Sequence, residues 1–87
     1  MTEVNLNKAE LQGHGLLTDA FRENILAART HAAEKLGLEL ELLSFESATV
    51  ATGTLAPKGI VLRDNSGQRG TVLVTFVRGI PKYASRT

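Results

Sequence analysis

The chain lacks cysteine and tryptophan, and its 87 residues include only three phenylalanines and one tyrosine. Without cysteine, neither a disulfide nor a thiolate metal site can stabilise the fold. No apolar run approaches the roughly 20 residues that span a bilayer. The first residues also lack the basic and apolar regions of a signal peptide, so we expect an intracellular, cytoplasmic protein.

The composition is that of one small globular domain, with 43% hydrophobic and 22% charged residues. A domain of this size buries only about 60 to 65% of the surface that its unfolded chain exposes, so a single core gives marginal stability. Since no disulfide can add to it, we expect good local structure or self-association to supply the rest.

Charge is divided unevenly along the chain. Residues 1–57 carry four basic and eight acidic side chains, a net charge of −4, whereas residues 58–87 carry six basic side chains and one acidic, a net charge of +5. This asymmetry favours an anionic partner at one end of the molecule. The alternative is a solvated basic segment that only keeps the domain soluble.

The clearest predicted element is a long helix between Thr18 and Gly37. Thr18 is a typical N-cap and Gly37 a typical C-terminal stop. Between them, apolar residues recur at steps of three and four, which places them on one face of a helix of about five turns. Before the helix, residues 3–11 favour an edge strand that ends in a turn at residues 13–15.

After Gly37 the apolar period changes to two. Residues 38–42 alternate like a half-buried strand, and the phase shift at Leu43 and Phe45 predicts a bulge or bend. Residues 47–57 fit either a continuing strand or an ordered loop.

Two β-branched runs, residues 59–63 and 71–77, flank a segment rich in asparagine, serine and glycine, and they predict a β-hairpin. We therefore expect an α+β domain over residues 1–80, in the order strand, helix, then two or three antiparallel strands, with the helix packed on the sheet. Pro81 is expected to end the last strand and leave residues 81–87 as a frayed tail.

One helix covers only one face of such a sheet. In the last predicted strand, Leu73 and Val77 point away from the covered face, and an apolar second face is poorly suited to water. Leu26 lies off the apolar stripe of the helix and is either an isolated exposed leucine or a subunit contact. We therefore expect a dimer or higher oligomer, with Leu26, Leu73 and Val77 as candidate interface residues.

The sequence carries no motif for catalysis, metal binding or cofactor binding. Glu34 is the single carboxylate at helical spacing from His31, which is a weak metal signal. No serine lies in a G-x-S-x-G setting. The turn at Gly13–Gly15 does not complete a dinucleotide fingerprint, because position 18 is threonine. We expect neither enzyme activity nor a cofactor.

The predicted hairpin is the best candidate site, because Arg63 and Arg69 bracket its tip and guanidinium groups bind phosphates through paired hydrogen bonds. With few and scattered aromatic residues, contact with the backbone of a duplex or a structured RNA is favoured over base stacking. The alternative is an edge kept soluble by its charges. The candidate nucleic-acid contacts are Lys58, Arg63, Gln68, Arg69, Arg78 and Lys82.

The stretches Glu3–Leu6 and Leu11–Phe21, followed by the helix, the next strand and a basic glycine-containing hairpin, resemble the second half of an Alba-type domain. That family comprises small dimeric chromatin- and RNA-associated proteins. The resemblance covers residues 3–78 and implies hairpin contacts by Arg63 and Arg69. The chain departs from the family in lacking its opening strand and helix and its lysine-bearing loop.

Glu10–Gly13, directly before the helix, is also similar to the opening of dodecins, which are small flavin-binding oligomers. That resemblance implies a ligand-binding oligomer, although the expected stacking tryptophan is missing. We thus expect an oligomeric protein that binds nucleic-acid backbone. The alternatives are a protein-interaction, inhibitor or assembly module that uses an apolar sheet face, and a dodecin-like small-ligand protein.

Overall fold

The structure is a computed structural model that describes residues 3–51, 57–67 and 69–86. Its elements are β1 (Glu3–Asn7), α1 (Lys8–Gly13), α2 (Asp19–Leu36), a 3-10 turn (Leu40–Leu42), β2 (Leu43–Ala51), β3 (Pro57–Asp64), β4 (Gly70–Val77) and β5 (Ile80–Arg86). The strands form one antiparallel sheet in the order β1-β2-β3-β4-β5, with α2 packed on it. The predicted α+β fold and its order of elements are confirmed. In the described part of the chain, no helix is long and apolar enough to cross a membrane.

Both predicted ends of α2 are confirmed, and each is formed by local chemistry. The Thr18 hydroxyl accepts a hydrogen bond from the Phe21 N–H at 3.2 Å, which satisfies one free donor of the first turn. Gly37 adopts a left-handed conformation with φ 66°, and its N–H donates to the Ala33 carbonyl. Between these ends, Phe21, Ala28 and Ala32 are buried and fix the face of α2 that meets the sheet.

The first strand is shorter than predicted, because a helix interrupts it. Asn7 accepts a hydrogen bond from the Glu10 N–H at 2.8 Å, and the Glu10 carboxylate accepts one from the Asn7 N–H at 3.1 Å. This reciprocal capping box starts α1 directly after β1. Residues 8–11, predicted as part of the strand, therefore belong to α1, and Leu11 is fully buried in the core.

The alternating residues 38–42 are not a strand, contrary to prediction. Residues 38–39 have no regular structure and residues 40–42 form a 3-10 turn, and the Arg29 guanidinium donates a hydrogen bond to the Leu40 carbonyl at 2.9 Å. The strand β2 begins only at Leu43. The predicted bulge is confirmed, since the β2–β3 register shifts between Phe45 and Ser47. Of the ambiguous residues 47–57, residues 47–51 continue β2, and residues 52–56 lie outside the described residues.

The predicted C-terminal tail is wrong over residues 81–86, which belong to β5. This strand pairs with β4 and packs beneath α2. Pro81 is compatible with a strand here, because β5 is the outermost strand of the sheet and a proline at an edge removes no required hydrogen bond. Exposed and half-buried residues do not alternate regularly along β5, so its sequence lacks the period-two pattern that identifies a half-buried strand.

Among the described residues, helices pack against one face of the sheet and none packs against the other. Along β4, Val72, Val74 and Phe76 are buried beneath the helix layer. Alternate side chains point the other way, and residues paired across strands share a face. We call this second surface the open face. Its members on β3, β4 and β5 include Val61 opposite Leu73, Thr75 opposite Tyr83, and Val77 opposite Ile80.

Candidate nucleic-acid interface

The predicted cationic residues lie at two opposite ends of the sheet. Arg63 and Arg69 flank the β3–β4 tip, which we call the hairpin end, together with Arg86 at the end of β5. Because β4 has eight residues and a strand rises about 3.3 Å per residue, its other end is about 23 Å away. That other end, with Lys58, Arg78 and Lys82, is called the turn end. Gln68 lies outside the described residues.

At the hairpin end, Arg63 is occupied by a carboxylate that sequence reasoning missed. Its Nε donates a hydrogen bond to Glu46 Oε1 at 3.1 Å, and its Nη2 forms an ion pair with the same oxygen. The Arg63 side chain is 61% exposed, so the pair contributes little to stability. A phosphate would nevertheless have to displace Glu46 to bind this guanidinium.

Arg86 is held by a buried carboxylate. Its Nη2 lies 2.9 Å from Oδ2 of Asp64, whose side chain is 1% exposed, and Asp64 Oδ1 accepts a hydrogen bond from the Ser66 N–H at 2.9 Å. The backbone hydrogen bond from Ser66 lowers the pKa of Asp64 most, followed by the Ser66 hydroxyl and the Arg86 guanidinium. The one sequence signal for this pair was that Asp64 is the single acid of residues 58–87.

Arg69 lies beside this pair but has a different role. Its carbonyl accepts a long hydrogen bond from Arg86 at 3.5 Å, and its own side chain is exposed. Its φ of 43° is left-handed. Of the two cations predicted at the hairpin tip, Arg69 is the one without a carboxylate partner among the described residues.

The turn end is built on a tight connection between β4 and β5. Val77 pairs with Ile80, so Arg78 and Gly79 form the turn, with φ values of 54° and 79°. Two successive positive φ values are the requirement that usually selects Asn-Gly in two-residue hairpin turns. For an arginine, a left-handed backbone costs roughly 1–2 kcal/mol. Arg78 therefore occupies a position where its backbone is strained and its side chain extends into solvent.

Lys58 and Lys82 join Arg78 at this end by register. Lys58 lies where the β2–β3 register shifts, one residue from the Gly59–Thr75 pair, and Lys82 lies where the β4–β5 register shifts, beside the same part of β4. All three side chains are exposed. Within residues 3–51, 57–67 and 69–86, no ion pair joins any of them to a carboxylate.

Exposed apolar side chains lie at the same end of the sheet as these cations. Tyr83 is 60% exposed, Ile80 66% and Val77 39%, and all three lie on the open face. The Lys82 ammonium lies 6.0 Å from the centroid of the Tyr83 ring, at the outer limit of a cation–π contact. Sequence reasoning missed Tyr83, because it placed this residue in the tail.

The predicted interface residues are divided between the two layers. Leu73 and Val77 share the open face, where the Leu73 Cδ1 lies 3.4 Å from the position a Cβ on Gly59 would take, so Leu73 covers that glycine. Leu26 is 53% exposed on α2 and lines a shallow depression with Pro81 on the opposite side of the sheet. The structure therefore places Leu73 and Val77 on the same face of β4, and Leu26 on the other side of the sheet.

No family model matches the chain, and neither do the curated proteins or the solved structures with which it was compared. The resemblances to Alba-type domains and to dodecins therefore stay predictions from short motifs. Among the described residues, no group of three or more histidines, aspartates or glutamates is placed to hold a metal ion.

Proposed function

We propose that this protein binds the phosphate backbone of nucleic acids through the turn end of its sheet. The observation that carries the proposal is the group of three exposed cations, Lys58, Arg78 and Lys82, without a carboxylate partner among the described residues. The nearest acid in their part of the sequence is Asp64, which is buried and paired with Arg86. Unpaired cations displace counterions from a polyanion, and this release supplies most of the affinity of nonspecific nucleic-acid binding.

Arg69 at the hairpin end and Arg78 at the turn end both have a left-handed backbone, so this strain supports a function for Arg78 without distinguishing the two ends. Residues held in a left-handed conformation are uncommon unless they are glycine or asparagine, and such strain concentrates at functional sites. An asparagine at this position would form the same turn with less strain. The presence of arginine is explained if its charge is required at this turn.

The surrounding charges favour approach from the open face. On the helix side of β5, Glu23 and Glu34 line the depression beside Pro81 and would repel a phosphate backbone. The open face carries no acidic side chain near Tyr83 among the described residues of β3, β4 and β5. A polyanion is therefore expected to lie along the turn end and across the adjoining part of the open face.

The test compares two arginines of the same kind at opposite ends of β4. Arg78→Asn and Arg69→Asn each remove one exposed positive charge, and each replaces an arginine that has a left-handed backbone. Binding of a fluorescein-labelled oligonucleotide should be measured by anisotropy over a series of salt concentrations. We expect Arg78→Asn to reduce the slope of log K against log salt by about 0.7 to 0.9, the value for one phosphate contact, and Arg69→Asn to leave it unchanged.

The other outcomes of this comparison would contradict the proposal in part or in full. A slope lowered only by Arg69→Asn would move the site to the hairpin end, where the sequence first placed it. Equal reductions would mean that the ligand reaches both ends. Absence of binding at low salt would reject the nucleic-acid proposal.

Protein–protein association is the second candidate function, and the open face favours it. Leu73, Val77 and Ile80 form an apolar group there that a second copy of the chain would cover in a symmetric dimer. Such a dimer would also shield Tyr83 from solvent. Light scattering combined with acrylamide quenching of tyrosine emission tests it. A dimer with protected Tyr83 supports association, whereas a monomer with accessible Tyr83 leaves this surface free for another ligand.

A further inference from the structure

We infer that the nucleic acid bound at the turn end is single-stranded and that one of its bases stacks on the ring of Tyr83. The inference rests on the proposed function and specifies its ligand. Among the phenylalanine and tyrosine residues that the structure describes, Tyr83 is the exposed one, and the cationic Lys82 directly precedes it in the chain.

The position of Tyr83 suits a planar apolar ligand. Its ring stands on a strand, opposite the small side chain of Thr75, so no bulky cross-strand neighbour covers it. The next side chains towards the turn on the same face are Val77 and Ile80, which are exposed and apolar. A base that stacks on Tyr83 therefore finds apolar surface beside it. Stacking of this kind is sequence-tolerant, because every base has a π face.

The cations lie at the same end of the sheet as this platform. Lys82 directly precedes Tyr83, and Arg78 lies at the turn beyond the Val77–Ile80 pair. Lys58 reaches the same end from β3. A strand whose base lies on Tyr83 can thus place neighbouring phosphates against charged groups, which is the combination of aromatic platform and basic groove found in single-strand binding surfaces.

A duplex fits this surface less well. Its bases are already stacked on one another, and a protein reaches them through a groove or by inserting a side chain between base steps. Tyr83 stands on the face of the edge strand β5, beside β4, rather than on a protruding loop, so the adjoining sheet hinders entry of its ring into a groove. Only a base that is free to leave its own stack can cover the ring.

The composition of the chain supplies a specific probe. Tyr83 is the single tyrosine and there is no tryptophan, so all emission on excitation near 280 nm comes from this one side chain. The experiment titrates the full chain with oligothymidylate of ten nucleotides, with an abasic oligonucleotide of the same length, and with a ten-base-pair duplex. The abasic strand has the same phosphates and no bases. Emission is corrected for absorbance by each ligand.

We expect oligothymidylate to quench the emission, and the abasic strand to bind without quenching. The loss of one stacked base should weaken the abasic ligand by roughly 5- to 150-fold. Tyr83→Ala should weaken oligothymidylate binding by a similar factor, measured by anisotropy, and leave abasic binding unchanged. Tyr83→Phe should retain near-native affinity, because the ring stays in place. Far-UV circular dichroism of both variants establishes that they fold.

The outcomes separate this inference from the proposal beneath it. Equal affinity for the abasic and natural strands, or tighter binding of the duplex without quenching, would overturn base stacking and leave backbone binding at the turn end standing. If none of the three ligands binds at low salt, both fail. If oligothymidylate quenches the tyrosine emission and Arg78→Asn weakens its binding, the result supports both base stacking and backbone binding at the turn end.

Discussion

Replacing Arg78 with asparagine is expected to stabilise the fold even as it weakens nucleic-acid binding. In the native turn Arg78 has φ 54° and is followed by Gly79 with φ 79°. A left-handed backbone costs an ordinary L-residue roughly 1–2 kcal/mol. Asparagine tolerates this region far better, because its short polar side chain can hydrogen-bond locally. Relief of about half the cost gives about 0.5 to 1 kcal/mol of added stability.

The shift is large enough to measure in a domain of 87 residues. At this size, 1 kcal/mol moves the melting temperature by about 4 to 8 °C, so Arg78→Asn should raise it by about 2 to 8 °C. The assay is thermal unfolding followed by far-UV circular dichroism, with urea unfolding at 25 °C to obtain the free energy independently. An unchanged m-value would attribute the shift to the native turn rather than to the denatured state.

Lys82→Asn is the matched control. It removes the same positive charge from the same end of the sheet, but Lys82 lies in β5 with no positive φ. Asparagine is a poor strand residue, so this variant should be no more stable than the native chain. If Arg78→Asn melts at or below the temperature of Lys82→Asn, the strain attributed to Arg78 is refuted, and with it the inference that its charge was retained against a conformational cost.

Three further perturbations have definite expected results. Gly37→Ala places a side chain at φ 66° and should cost about 1 kcal/mol in urea unfolding, although no neighbouring atom obstructs the added methyl group. Leu11→Ala empties a fully buried site and should cost about 2 to 5 kcal/mol, whereas the exposed Leu26→Ala should change stability by less than about 0.5 kcal/mol; equal effects would contradict the packing of α1. Since the pKa of Asp64 is lowered on folding, its ionised form adds stability above the ordinary value of 3.8, and this is lost as pH falls through the lower folded value. Urea midpoints measured from pH 6 to pH 2 should therefore decline less steeply for Asp64→Asn than for the native chain.

Features set by local chemistry could be predicted from the sequence. The ends of α2 follow from the cap at Thr18 and the stop at Gly37, each of which acts within one helical turn. The β3–β4 hairpin follows from two β-branched runs around a turn-forming segment. Both depend on residues close together in the chain, so a short window of sequence contains the information.

Features set by neighbours far along the chain could not be predicted. Residues 38–42 alternate like a strand, yet Arg29 of the preceding helix binds the Leu40 carbonyl and the segment turns. The strand β5 has no clear pattern, because β4 and α2 determine which of its residues are covered. In the candidate site, the pairing of Arg63 with Glu46 depends on strand register that no window of sequence shows. This long-range pairing is why the sequence favoured the hairpin end.

The two edge strands of the sheet, β1 and β5, are both poorly suited to pairing with a strand of a second copy, for different reasons. This limits how copies of the protein can associate. On β5, Pro81 offers no N–H to a neighbouring strand, and Lys82 would face the same charge on a second β5. On the other side, the described part of β1 is short, Glu3–Asn7, and the capping box at Asn7 turns the chain away. Neither border is a good template for continuing the hydrogen-bond ladder, so growth of one sheet into an extended fibre is disfavoured. Any self-association of this protein should instead bring surfaces together and stop at a defined number of subunits.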